Sequence, residues 1–382
     1  MKNDNLKFKF IFLSILFIAF FGMAKSSKAA VLFEENFNSQ PNWTVQQSSN
    51  QSSTAISPDA SVPSGFYDYR SDPSLFGEDP VIGDGIGQNN LNIDSLDAYG
   101  GTGKSYRVVD ESADDTWCGP NVWCNDSLLG ISLVGTNWTQ GYDEVFIRYD
   151  VKFQDGFQWR VSDTDPYSSI KFLHASHYDG TEFRRWSFHN DYNAPSFVTN
   201  LSVSSNPYNN RVQYGYGGRC YDAGGGYDAV RSWAYTDGSG QDVQNGGCVW
   251  NAPGCIRDDT WFRFEYRLKM NSSPSATDGI AKVWLDGVLI VDENNLNWTT
   301  SDPATRRWNS VWIGGNTWNN WTARANMAEQ YRAFDNFVVY TPLVAGDPLW
   351  SASPQDGRLP QNYAISGTDT TAPSAPTGLS VN

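Results

Sequence analysis

Residues 261–270 read WFRFEYRLKM. Phe262, Phe264, Tyr266 and Leu268 fall at every second position, with Arg263, Glu265, Arg267 and Lys269 between them. A period of two marks a strand buried on one face. EVFIRYDVKF (144–153) repeats the pattern, setting Val145, Ile147, Tyr149, Val151 and Phe153 against Glu144, Arg148, Asp150 and Lys152. In DGIAKVWLDGVLIVDE (278–293) two β-branched runs flank Asp286-Gly287, the dipeptide a type I′ hairpin turn favours. SVWIGGN (310–316) and RAFDNFVVY (332–340) predict two further strands. Only ATRRW (304–308) and ARANMAEQY (323–331) have any helical character. Many short strands separated by turn signals define an all-β sandwich.

The composition agrees. Aromatic residues make up 15% of the 382, including 16 Trp, and Gly numbers 34. The N-terminus carries Lys2, Lys7 and Lys9 before an apolar run from Phe10 to Ala24, then small residues ending near Ala30. That run is short for a membrane span of about 20 residues, so residues 1–29 read as a secretory signal peptide. Its removal takes five lysines and one aspartate from 27 basic and 42 acidic side chains, leaving 22 against 41, a net charge of −19. Such acidity disfavours nucleic acid or an anionic membrane as partner. A secreted, extracellular monomer is compatible with it, and an anionic substrate is not excluded, because a local basic patch can sit in an acidic surface.

Five cysteines in an exported chain indicate disulfides. Cys118–Cys124 and Cys248–Cys255 each enclose a Pro-Gly or Gly-Pro turn, with Cys220 left over; Cys220–Cys248 and Cys220–Cys255 are the alternatives. The domain reading is a jelly roll over 30–345, a Ser/Thr/Pro/Gly linker over 346–368, and TAPSAPTGLSVN (371–382) within a closing segment, 369–382. This last segment resembles the opening strand of a fibronectin type III domain.

All three histidines lie in KFLHASHYDGTEFRRWSFHNDY (171–192). Taken as two neighbouring antiparallel strands, the stretch sends Lys171, His177, Arg185 and His189 to one face, with Phe172 and Trp186 on the other and His174 at the core side or a bulge. An ammonium, a guanidinium and two imidazoles on one face suit elimination across a uronic acid. The cations hold the carboxylate, a histidine takes the C5 proton, and a tyrosine protonates the leaving oxygen. Tyr178, Tyr192, Tyr214 and Tyr216 are near enough in sequence for the last role. The long stretch 212–255, rich in Gly and Tyr, exceeds an ordinary loop and carries Tyr221, Tyr227, Trp233 and Trp250, which suit stacking on sugar faces. With His174, Trp186 and Tyr216 these aromatics make up the substrate-binding candidates.

YDEVFIRYDVKFQDGF (142–157), DDTWFRFEYRLKMNS (258–272), the 278–293 hairpin and FDNFVVYTP (334–342), in that order, resemble the concanavalin A-like lectin/glucanase jelly roll. Within it the chain is similar to secreted polysaccharide lyases. The resemblance covers roughly residues 31–342 and implies a β-sandwich of two antiparallel sheets whose first and last strands pair. It implies a lyase site of Arg, His or Lys, and Tyr, giving Arg185, His177 or His189, Lys171, and Tyr192 or Tyr214. It also implies a structural calcium, for which Glu34, Glu35 and Asp335 supply oxygen ligands, and no organic cofactor. The Gln-Ile-His signature of alginate lyases is replaced by KFLHAS (171–176). Two rival functions remain: a non-catalytic carbohydrate-binding module, and a glucanase. The glucanase needs a strand-borne Glu-x-Asp-x-x-Glu pair, and the chain offers only Asp292-Glu293-Asn294-Asn295 after a hairpin.

Overall fold

The computed structural model describes residues 29–44, 62–74, 91–110, 122–155, 167–178, 195–204, 210–216, 231–234, 259–315, 317–319 and 330–365. The strands form two sheets whose pairings are all antiparallel. The first sheet runs β14 (Val288–Leu296), β13 (Gly279–Leu285), β12 (Trp261–Lys269), β7 (Glu144–Phe153), β17 (Gln330–Tyr340), β5 (Ser105–Asp110), β4 (Leu91–Asp94) and β2 (Trp43–Thr44). The first strand, β1 (Val31–Glu35), pairs with β17, as the resemblance implies. The second sheet runs β11 (Arg231–Ala234), β10 (Asn210–Tyr216), β9 (Ser196–Ser204), β8 (Tyr167–Ser176), β15 (Ser310–Gly314), β6 (Val122–Ser132) and β16 (Thr317–Asn319), with β3 (Asp68–Ser74) on β6. Successive strands β5 to β8 alternate between the sheets, so the chain closes a two-layer jelly roll.

The period-two faces become the core. Val145, Ile147, Tyr149, Val151 and Phe153 of β7 pack with Phe262, Phe264, Tyr266 and Leu268 of β12, all buried. From the second sheet Phe172 meets Phe153 and Phe264 at 5.8 and 5.7 Å between ring centroids, and Phe197 meets Tyr266 at 5.9 Å. The hairpin turn has Asp286 at φ 50° and Gly287 at φ 83°, the two positive values that the type I′ turn requires. Pro303–Thr305, overlapping the start of one of the two weakly helical stretches, is a single 3-10 turn capped by the Asp302 carboxylate.

Ala29 and Ala30 together with Pro342–Gln361 form a compact unit of their own. Within it the Asp347 carboxylate accepts from the backbone N–H of Ala29 and Val344, and Leu343 N–H donates to the Gly357 carbonyl. Residues 346–361, read from composition as the start of a linker, therefore carry their own hydrogen bonds and buried side chains, Arg358 and Leu359 among them. The signal peptide through Lys28 and the fibronectin-like end lie outside the described residues, as do Cys118, Cys220, Cys248 and Cys255. Cys124 is described by its backbone in β6.

Candidate functional site

Strand β8 has β9 on one edge and β15 with β16 on the other. The run 182–190, which the sequence suggests as the neighbour of β8, lies outside the described residues, and the described ladders of β8 are those with β9, β15 and β16. Strand β9 begins at Ser196.

The register of β8 on β9 slips by one residue between Lys171–Asn200 and Leu173–Thr199. This β-bulge leaves Phe172 and Leu173 both in the core. It also puts Lys171 and His174, three apart, on the same face, the one turned away from the core. Without the slip they would point to opposite sides. Leu173 and Ala175, expected on the outer face, are core residues, and His174 replaces His177 as the imidazole beside Lys171.

His177 continues the core-side alternation after Leu173 and Ala175. Its N–H donates to the Pro195 carbonyl, and its Nδ1 lies 2.9 Å from the Arg307 carbonyl oxygen. A carbonyl only accepts, so Nδ1 carries the proton and the ring is fixed in orientation. Beside it the buried Asn309 donates Nδ2 to the carbonyls of Tyr178 (2.9 Å) and Trp138 (3.0 Å) and accepts from Tyr178 N–H at 2.7 Å. The expectation that His177 shares the face of Lys171 fails, because His177 and Asn309 are engaged in closing the end of β8.

On the outer face His174 stands opposite Trp312 of β15. Trp312 lies across Gly130 of β6, where a Cβ would meet indole carbons at 2.9 Å. Its Nε1 donates to Ser310 Oγ at 3.1 Å. Tyr67 packs edge-on against Trp312 at 5.3 Å and Trp138 at 5.1 Å, and Trp138 against Tyr178 at 4.4 Å. An aromatic ledge thus runs from His174 toward β6. On the other side Lys171 aligns with Asn200 of β9, and Asn200 with Gln213 of β10. Lys171 and His174 are 7% and 4% exposed, so both side chains are largely withdrawn from bulk water.

Gly130→Ala is expected to cost about 1–3 kcal/mol by overpacking against Trp312, read as a lowered urea midpoint. A midpoint equal to that of the parent would show that the indole can move aside.

The remaining sequence candidates fall in three groups. Arg185, Trp186, His189, Tyr192, Tyr221, Tyr227 and Trp250 lie outside the described residues. Tyr214, Tyr216 and Trp233 are described by their backbone: Tyr214 pairs with Thr199, Tyr216 with Phe197, and Trp233 with Val212. Those two β9 positions are on the core side, whereas Gln213 is the β10 position in line with Lys171. The stretch from 212 onward, expected to be loop, contributes β10 and β11 to the sheet. Tyr178 is fully buried against Trp138.

The calcium ligands expected at the β1–β17 edge separate. Glu34 and Glu35 are consecutive in β1 and turn to opposite faces. Glu34 accepts from the Tyr363 hydroxyl at 3.0 Å, while Glu35 Oε1 accepts from Phe37 N–H and Oε2 from Gln40 Nε2, both at 2.5 Å. Asp335 accepts from the backbone N–H of Tyr99 and Asn336. Among the described residues no group of three His, Cys, Asp or Glu side chains is placed to hold a metal, so Glu34, Glu35 and Asp335 do not form the expected cage.

Glu35 and Asp335 nevertheless bear on stability. Burial pushes the Asp335 carboxyl up to about 7, with the charges of Asp150 and Glu35 adding to it against the two N–H donors. Burial raises Glu35 as well, opposed by Gln40 and by backbone N–H groups. A carboxyl raised in the fold binds its proton more tightly there than in the unfolded chain. Its contribution is complete below the unfolded value near 4 and is lost as pH rises through about 7. Asp94 has the opposite sign: burial pushes it up, but the paired Arg107 outweighs that and lowers it, so it matters only in acid. Unfolding free energy is expected to fall by roughly 4 kcal/mol at most between pH 4 and pH 8. Asp335→Leu should flatten the profile. A profile that rises across this window would refute the assignment.

No protein-family model matches the chain, and no curated protein matches it significantly. Solved structures do. A double-alanine variant of the alginate lyase Aly36B in complex with alginate trisaccharide has 16% identity and a TM-score of 0.45, covering 82% of this chain and 97% of its own. The endo-β-1,4-glucuronan lyase of Trichoderma reesei has 15% identity and a TM-score of 0.40, covering 72% and 94%. The endo-1,3-β-glucanase of Streptomyces sioyaensis has 11% identity and a TM-score of 0.42, covering 83% and 98%. These are similarities of strand arrangement, and no residue role is transferred from them. The class that the chain's own two sheets define is an all-β jelly-roll sandwich of two antiparallel sheets.

Proposed function

We propose that this protein is a secreted polysaccharide lyase that cleaves a uronic-acid-containing glycan by β-elimination. The observation that carries the reading is the β8 bulge, which sets an ammonium and an imidazole side by side on the outer face, next to an aromatic ledge. In the proposed step the substrate carboxylate is neutralised by Lys171, so that charge can develop on it in the transition state. His174 takes the C5 proton, C4=C5 forms as the C4–O bond breaks, and the leaving oxygen takes a proton from a hydroxyl. Tyr192 is the proposed source of that proton, with Arg185 and His189 as further partners of the carboxylate; Tyr214, opposite core-side Thr199, is left out. His177 is left out because its Nδ1 is used on Arg307.

A glucanase on this face would need two facing carboxylates. Asp68, opposite Gly130, is the carboxylate that the described side chains place there. The carbohydrate-binding module explains the aromatic ledge but gives Lys171 and His174 no task. The test is incubation of the purified protein with polymannuronate, polyguluronate, polyglucuronate and pectate, followed by near-ultraviolet absorbance of the conjugated unsaturated end. Absorbance that rises with time on one of these supports the reading. Absence on all of them, with glycan binding retained, overturns it in favour of the binding module.

A further inference from the structure

Lys171 sits where both neighbouring strands break step. Toward β9 the register slips just after it. Toward the other edge β15 pairs up to Ile313–Leu173, and β16 resumes at Thr317–Ile170. The link between them passes through Gly314 and Gly315, at φ 97° and 146°. A Cβ on Gly315 would lie 2.5 Å from Lys171 Cβ and 3.0 Å from its carbonyl oxygen, so the link is pressed against Lys171. A residue flanked by two interrupted ladders is poorly held by its own sheet. A conformation of this kind persists where surrounding structure enforces it.

That enforcement comes across the core. Arg332 of β17 pairs with Val108 and Phe153, both core residues, and is itself fully buried. Its Nη2 donates to the Gly315 carbonyl in the facing sheet at 2.6 Å. A guanidinium in such a place is costly to desolvate, and an apolar side chain of similar volume is commonly as stable or more so. Beside it the hydroxyls of Tyr149 and Tyr266 meet at 2.7 Å. Thr199, opposite Leu173 at the bulge, lies close to Tyr266 without completing hydrogen-bond geometry.

We propose that Arg332 is a positioning residue, whose hydrogen bond to Gly315 fixes the glycine link and thereby the direction in which Lys171 leaves the outer face. The inference rests on the lyase reading of that face. It predicts that an apolar replacement keeps the fold but loosens the site, since small displacements of a reacting group cost rate rather than binding.

Arg332→Met is the variant to make in the full chain, with Arg332→Lys as partial rescue. Arg332→Met should lower kcat about 10- to 100-fold with KM within about threefold, at an unchanged or raised melting temperature. Combined with Lys171→Met it should cost nothing further, because Arg332 acts through Lys171. An unchanged kcat, or a multiplicative loss in the double variant, overturns the proposal. If the parent protein is inactive on every uronate, the lyase reading falls on its own, and hydrogen exchange still decides the positioning. Amides of 169–175 and 310–315 should then exchange about tenfold or more faster in Arg332→Met, with β7 and β12 unchanged. Equal rates would refute it.

Discussion

Lys171→Met is expected to lower kcat/KM on the preferred polyuronate by about 10²- to 10³-fold, the loss typical for one preorganised electrostatic contact in a transition state. Methionine keeps the stem that fills the space beside Gly315 and removes the ammonium, so the melting temperature should move little. His174→Asn, which removes the proposed base, should cost about 10²- to 10⁴-fold in kcat. His177→Asn is expected to behave differently. Its imidazole serves the Arg307 carbonyl, so its loss should cost about 1–3 kcal/mol of stability and leave kcat near the parent value at temperatures where the variant is folded. Steady-state kinetics beside thermal melts separates the cases. If His177→Asn abolished turnover in a fully folded protein while His174→Asn were silent, the role of the β8 bulge in building the site would be refuted.

Glu265→Leu is expected to destabilise the protein by about 3–5 kcal/mol, the cost of leaving a buried charge without its partner. Glu265 and Arg148 stand opposite each other on β12 and β7, both essentially inaccessible, with Arg148 Nε and Nη2 donating to Glu265 Oε1 at 2.9 and 2.6 Å. Removing the carboxylate takes the ion-pair partner away from the buried Arg148 guanidinium. Replacing both, Arg148→Met with Glu265→Leu, should recover most of the loss, since the pair's mutual attraction only offsets its desolvation. Urea denaturation of the four members of the cycle measures this. A double variant less stable than Glu265→Leu would show that the pair contributes net stability.

The two predictions rest on opposite kinds of legibility. Arg148 and Glu265 could be read directly: both sit at polar positions of alternating strands, and alternation alone put them on the face opposite Tyr149 and Tyr266. What alternation did not show is that this outer face is buried. Lys171 and His174 mark the other limit. A strict period of two separates them and unites Lys171 with His177, and the structure reverses this through one extra residue at Phe172–Leu173. The only trace in KFLHAS is that Phe172 and Leu173 are adjacent and both apolar, where a half-buried strand would have one of them polar. In the sequence Gly314-Gly315 falls within SVWIGGN, which predicts a strand and nothing more. Its use as the close-approach point for Lys171 depends on β8 lying alongside, some 140 residues earlier in the chain.

From the sequence alone came strands β7, β12, β13, β14, β15 and β17, the hairpin at Asp286-Gly287, and the β1–β17 pairing implied by resemblance. These follow from local pattern, because burying one face of a strand requires an apolar residue at every second place. Which of the three histidines joins Lys171, where Arg332 sends its guanidinium, and why Glu34 parts from Glu35 and Asp335 were settled only by packing. A bulge, a cross-core hydrogen bond and a shared ladder each depend on residues far apart in the chain, and no local period encodes the slip of one strand against another.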